Sequence, residues 1–187
     1  MKKKLRFILF ILLLSIAGSF LFRGFLYRSL VEYQAVADRP KYPETDVELK
    51  ALITLNDEKD AVTDIQDVIS IAHKTTAKSL QFRFEGVEND PNTLVRTQKA
   101  NCIGYAAFFC TMANALLEKN SMSTEWSAHA HIGHLYFMGI NIHQFTRHPY
   151  FVDHDFVILK NSKTGEIIAV DPSLYDFSGI RIVRKRN

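Results

Sequence analysis

Apolar positions follow four patterns along the chain. The first is a nearly solid run from Phe7 to Phe22, broken only by Ser15, Gly18 and Ser19. Sixteen residues fall slightly short of the roughly 20 that cross a bilayer core, and Leu5 with the stems of Arg6 and Arg23 extends the run by snorkelling. The second pattern is helical: Val62, Ile65, Val68, Ile69 and Ala72 repeat on one face between Asp60 and Lys78, with Thr63, Asp64, Gln66, Asp67 and Lys74 on the others. A further helix starts at or beside Cys102, where Ile103, Ala106, Ala107, Cys110, Ala113, Asn114 and Leu117 form a core-facing stripe rich in alanine. Such a stripe lets a helix press closely against a sheet. The third pattern is strict alternation from Glu125 to Ile132, with Trp126, Ala128, Ala130 and Ile132 on one side and His129 and His131 on the other, as in a half-buried strand. The fourth is two short apolar stretches, Tyr150 to Leu159 and Glu166 to Asp171, which read as strands around a polar turn from Lys160 to Gly165.

The intervening stretches are more polar. Leu30 to Pro43, with Pro40 and Pro43, reads as a connection; Asp46 to Leu55 is a short helix or strand. Phe82 to Thr93 is an ordered loop, with Gly86, Asn89, Asp90, Pro91 and Asn92 supplying turn chemistry. The pattern predicts an α+β fold, with the Cys102 helix packed on an antiparallel sheet. It divides the chain into an amino-terminal anchor or signal segment (1–28), a connecting segment (29–59) and one folded domain (60–187), with no internal repeat.

Charge refines this picture. The protein has 187 residues and a net charge of +3, but Lys2, Lys3, Lys4, Arg6, Arg23 and Arg28 all precede the first acid, Glu32. Without those six, 17 basic residues face 20 acidic ones, so the domain lacks the positive field that a nucleic-acid partner requires. The basic cluster from Arg181 to Arg186 reads as a solvated tail. Ala17-Gly18-Ser19 resembles a signal-peptidase site, but the apolar run continues through Phe20, Leu21 and Phe22, which favours an uncleaved transmembrane helix. Basic residues before the run place the amino terminus in the cytoplasm and the domain outside it, on a single-pass membrane protein.

The chemistry centres on Cys102. The first turn of a helix carries unpaired N–H groups and a partial positive charge of about +0.5, which stabilises a thiolate. Asn101 suits the N-cap position, and Lys99 adds positive charge nearby. A four-residue loop at Asn161 to Thr164 would pair Lys160 with Gly165 and set His154 directly opposite Asp171; a five-residue loop would spoil that pairing. By alternation Asp153 and Asp155 point away from His154, toward solvent. Cys110 reads as core. On one helix it lies about 12 Å along the axis from Cys102, too far for a disulfide, which leaves Cys102 a free thiol. His129, His131, His134, His143, His148 and His154 offer a rival constellation for zinc, although their spacing follows no zinc signature.

A cysteine at a helix start, His154-Asp155-Phe156 in a strand and Val170-Asp171-Pro172-Ser173 at the end of the next strand resemble the transglutaminase-like superfamily of papain-type cysteine enzymes. The resemblance spans Ala61 to Phe177. It departs from the common pattern at Ala100-Asn101-Cys102, where many members have Gly-x-Cys, and at Phe156, where many have Trp. It implies a papain/transglutaminase-like core with Cys102 as nucleophile, His154 as general base and Asp171 orienting the histidine, without a metal or other cofactor. The substrate would be a peptide or protein amide, cleaved or transferred through a thioester. The Cys102 N–H and the Gln98 side chain, just before the helix, are candidate oxyanion donors. The superfamily also contains members that only bind, so a catalytically silent binding or scaffolding domain is the alternative, beside a His-rich metal module.

Overall fold

The helix that starts at Cys102 is the centre of the core in the computed structural model, which describes residues 2–59, 61–84 and 87–186. The terminal residues Met1 and Asn187, the domain start set at Asp60 and the turn role given to Gly86 lie outside the described residues. In chain order the elements are α1 (Lys2–Leu21), α2 (Arg23–Leu30), β1 (Val31–Asp38), α3 (Val47–Lys59), α4 (Ile65–Ser79), β2 (Gln81–Phe82), α5 (Pro91–Thr97), β3 (Lys99–Ala100), α6 (Cys102–Lys119), β4 (Trp126–Phe137), β5 (Ile140–Asn141), β6 (His154–Asn161), β7 (Ile167–Val170), α7 (Pro172–Ser178) and β8 (Arg184–Lys185). The fold is mixed α and β.

Local chemistry sets the helix starts. Asp64 caps α4 and exchanges hydrogen bonds with Asp67 in a capping box, so this helix begins at Ile65 rather than near Asp60. Asn101 caps α6 by accepting from the N–H groups of Ile103 and Gly104. α6 is buried on nearly every side rather than along one stripe: Tyr105, Phe108, Phe109, Met112 and Leu116 are as enclosed as Ala106 and Ala113. Helices pack on the side away from the sheet, so the large residues find cover there. Asn114, from the expected stripe, faces the sheet; its amide both donates to and accepts from the backbone of Ala128 at 2.9 Å.

Five strands run in the order β7-β6-β4-β1-β8, with β5 paired to the end of β4; β2 and β3 form a separate parallel pair. All neighbours in the main sheet are antiparallel except β1 and β8. Val183, just before β8, bridges to Ala169 of β7, so the sheet nearly closes on itself. One face, with Ala128, Ala130, Val157, Leu159 and Val170, joins the α6 core, and the other holds Tyr33, Phe156, Ile158 and Ala169. Gly133 leaves room for Phe156: a Cβ there would lie 2.5 Å from the ring.

Several sequence expectations are corrected. Segment 29–59 is not a connection: β1 lies inside the sheet between β4 and β8, and α3 buries Leu49 and Ile53 in the core. The strand expected from Tyr150 begins only at His154, because Pro149–Phe151 forms a 3-10 turn. The expected loop from Phe82 to Thr93 contains the start of α5, whose Pro91 occupies the first turn. Asp155 is not solvated. It points to the α6 side with no exposed surface, and Arg39, just past β1, meets both its carboxylate oxygens at 2.7 and 2.9 Å. No single described helix is long and apolar enough to cross a membrane; Arg6–Leu21 and Arg23–Leu30, bent by 73°, meet the requirement of length and composition only as a pair.

Candidate functional site

Cys102, His154 and Asp171 come together where the start of α6 meets the ends of β6 and β7. The ladder between those strands pairs Lys160 with Ile167 and Val157 with Val170, so His154 is not directly opposite Asp171 as the four-residue loop required. The true register differs from the expected one by two residues. An even shift leaves each side chain on its own face, so the two groups still meet: His154 Nε2 lies 2.7 Å from Asp171 Oδ2. The loop is wider because Asn161 Oδ1 accepts from the N–H groups of Lys163 and Thr164, and Gly165 completes the turn at positive φ.

Asp171 is saturated with donors. Beside His154, its Oδ2 accepts from the Tyr33 hydroxyl at 2.8 Å; Oδ1 accepts from Ser173 Oγ at 2.7 Å and, as N-cap of α7, from the Leu174 N–H at 2.9 Å. Burial pushes its pKa up, but the charge and hydrogen bond of His154, with the Leu174 and Ser173 donors, overcome this and lower it to about 2. For His154 the balance runs the other way. Burial lowers its pKa, while the Asp171 charge and hydrogen bond, with the Cys102 sulfur as a further acceptor, carry it well above its ordinary value of 6.5. Nε2 is committed to Asp171, which leaves Nδ1 for the thiol. The sulfur thus sits between that imidazole and the amino terminus of α6.

Sequence reasoning missed Tyr33, although Val31, Tyr33 and Ala35 alternate with Glu32 and Gln34 as a strand should. The Tyr33 hydroxyl also lies 2.7 Å from that of Tyr27 in α2, so a chain of polar contacts runs from α2 through Tyr33 and Asp171 to His154. Tyr33→Phe keeps the ring and removes one donor to a buried carboxylate. The expected cost in urea unfolding is about 1.5–3 kcal/mol. Losing a hydrogen bond to the charged form raises the Asp171 pKa, so the acid limb of stability against pH is expected to move to higher pH.

A cleft of about 490 Å³ lies over the thiol, with Phe82, Phe84, Leu135, Ile142 and Phe151 in its walls and Asn101, Cys102, His143 and His154 among its polar groups. Gln98 is elsewhere. It closes α5 in the left-handed conformation at φ 57, its carbonyl accepts from the Gln81 N–H, and it borders a separate depression with Leu52, Lys78 and Val95. The local geometry offers Asn101 instead: its Oδ1 is held by two backbone N–H groups, and its Nδ2 amide has no partner among the described residues. Asp153, also expected to face solvent, borders the cleft.

The remaining histidines disperse. His131 pairs with Asp38 at 2.9 Å, His134 and His143 lie ring to ring, and His148 stacks on Tyr150. Among the described residues, no three His, Cys, Asp or Glu side chains form a group that could hold a metal. Both cysteines are free thiols; Cys110 is enclosed in the core, where burial pushes its pKa far up. The chain matches no protein-family model, no curated protein and no solved structure.

Proposed function

We propose that this chain is a cysteine acyl-transfer enzyme working through a Cys-His-Asp triad. More particularly, the reading is a membrane-anchored, extracytoplasmic enzyme of the transglutaminase-like type that acts on peptide or protein amides. The observation that carries it is the His154–Asp171 pair at 2.7 Å, with the free imidazole nitrogen turned to a thiol at the amino terminus of α6 and an open cleft above.

The chemistry follows from these groups. The Cys102 sulfur attacks the amide carbon, and the developing oxyanion meets the Cys102 N–H with the Asn101 amide alongside. The C–N bond then breaks, the leaving amine takes the proton held by His154, and an S–C thioester remains. Water or a second amine attacks the thioester, His154 takes the incoming proton and the sulfur leaves as thiolate. Asp171 keeps the imidazole in one tautomer and orientation throughout.

The test is covalent capture. A peptide vinyl sulfone offered to the full chain is expected to add one adduct mass to the wild type and none to Cys102→Ala, as read by intact-mass spectrometry. A wild-type chain that stays unmodified would instead mark a silent binding domain.

A further inference from the structure

The main sheet is polar at one end and apolar at the other, and the cleft belongs to the apolar end. β4 begins beside the exposed turn Ser162 to Glu166, where Trp126 pairs with Asn161. It finishes in a segment whose large apolar side chains point outward: Phe137, Met138, Ile140, Ile142, Phe145 and Phe151 are all exposed, Phe145 at 76% and Met138 at 69%. Single exposed apolar residues are ordinary, whereas a contiguous set marks a contact surface. Ile142 and Phe151 also line the cleft. His154 pairs with Gly133, four residues before Phe137, so the catalytic level lies about 13 Å along the strand from the apolar tip.

Two observations indicate what covers this surface. The Met138 N–H donates to the carbonyl of Leu30 at 2.8 Å, which joins the apolar tip to the last turn of α2, next in the chain after the exposed apolar α1. Charge agrees: no acidic residue occurs from Met1 to Val31 or from Trp126 to Val152, while Arg23, Arg28 and Arg147 lie in those stretches. The nearest acids are Glu32, opposite Tyr136 and paired with Arg184 and Arg186, and Asp153, which borders the cleft. An apolar segment that itself carries only basic charge suits an anionic lipid surface.

We propose that the apolar end of the domain rests in the lipid surface that α1 enters, with the Cys102 cleft beside that surface and open to polypeptides held there. This rests on the membrane-anchored part of the function proposed above and not on its chemistry.

The test uses the full chain carrying Cys102→Ala, reconstituted in vesicles of phosphatidylethanolamine and phosphatidylglycerol. An environment-sensitive fluorophore is attached at Phe145→Cys or, at the polar end, at Lys163→Cys; the chain with Cys102→Ala alone reports any labelling of Cys110. Both positions are exposed, so neither label disturbs the core. The Phe145 label is expected about 5–10 Å below the headgroup plane, blue-shifted and quenched about two-fold or more by shallow spin-labelled lipid, with the Lys163 label unaffected. Flotation of the chain with the vesicles tests the anchor separately. A floating chain whose Phe145 label stays in water overturns the inference alone, and a chain that does not float overturns the anchor as well. A Phe145 label that ignores the spin-labelled lipid but responds to protein density also overturns it, since a second copy then covers the face.

Discussion

Iodoacetamide at mildly acidic pH is expected to modify Cys102 faster than Cys110 by roughly two orders of magnitude, the low end of what a positioned acid–base partner contributes. Two effects produce the difference. Cys110 is enclosed among core side chains, and burial pushes its thiol toward the neutral, unreactive form. Cys102 borders the cleft, at the amino terminus of α6 and beside a histidine that Asp171 keeps protonated. Access and activation are separated by His154→Gln, which preserves the opening and removes the charge. If activation dominates, that variant loses most of the preference for Cys102; if access alone matters, it retains the preference. Equal, slow labelling of both thiols in the wild type would count against an acyl-transfer enzyme.

Removing the Asp171 carboxylate is expected to be among the most damaging single changes to stability. Asp171→Ala strips four donors of their acceptor, the buried Tyr33 and Ser173 hydroxyls among them, and removes the counter-charge of the partly exposed His154, at a cost of about 3–5 kcal/mol in urea unfolding. Part of this is helix capping, typically about 1 kcal/mol. Asp171→Asn retains an oxygen for the Leu174 N–H and separates that part from the charge. The pH dependence has a definite sign on each side. The carboxyl pKa is depressed by folding, so its contribution is present above the ordinary value of 3.8 and lost as pH falls through about 2. The imidazole pKa is raised, so its contribution is complete below 6.5 and lost as pH rises through the higher folded-state value. The stability gap between wild type and Asp171→Asn is therefore expected to be widest between pH 3.8 and 6.5 and to narrow on either side. A gap that stays constant with pH would show that the pair is not ionised.

The parts of the site legible in the sequence are those governed by local rules. Asn101 caps α6 within three residues of chain, and side-chain alternation keeps His154 and Asp171 on one face even though the register differs by two from that of a four-residue loop. The loop length itself escaped because Asn161 draws two backbone N–H groups to its side chain and widens the turn. Asp155 shows how far alternation reaches: it identified the opposite face and missed that Arg39, over a hundred residues earlier, covers it. Gln98 is close to Cys102 in sequence, but it takes the left-handed conformation at the end of α5 and borders a separate depression.

By itself the sequence determined the α+β class, the start and cap of the cysteine helix, and the shared face of His154 and Asp171, because each depends on residues close together along the chain. The tertiary structure alone decided that Val31–Asp38 is an interior strand of the sheet, that Tyr33 completes the environment of Asp171, and that the cleft adjoins the apolar end of the sheet. Those are pairings between segments far apart in the chain, selected by which backbone edges and buried polar groups find partners when the whole domain packs.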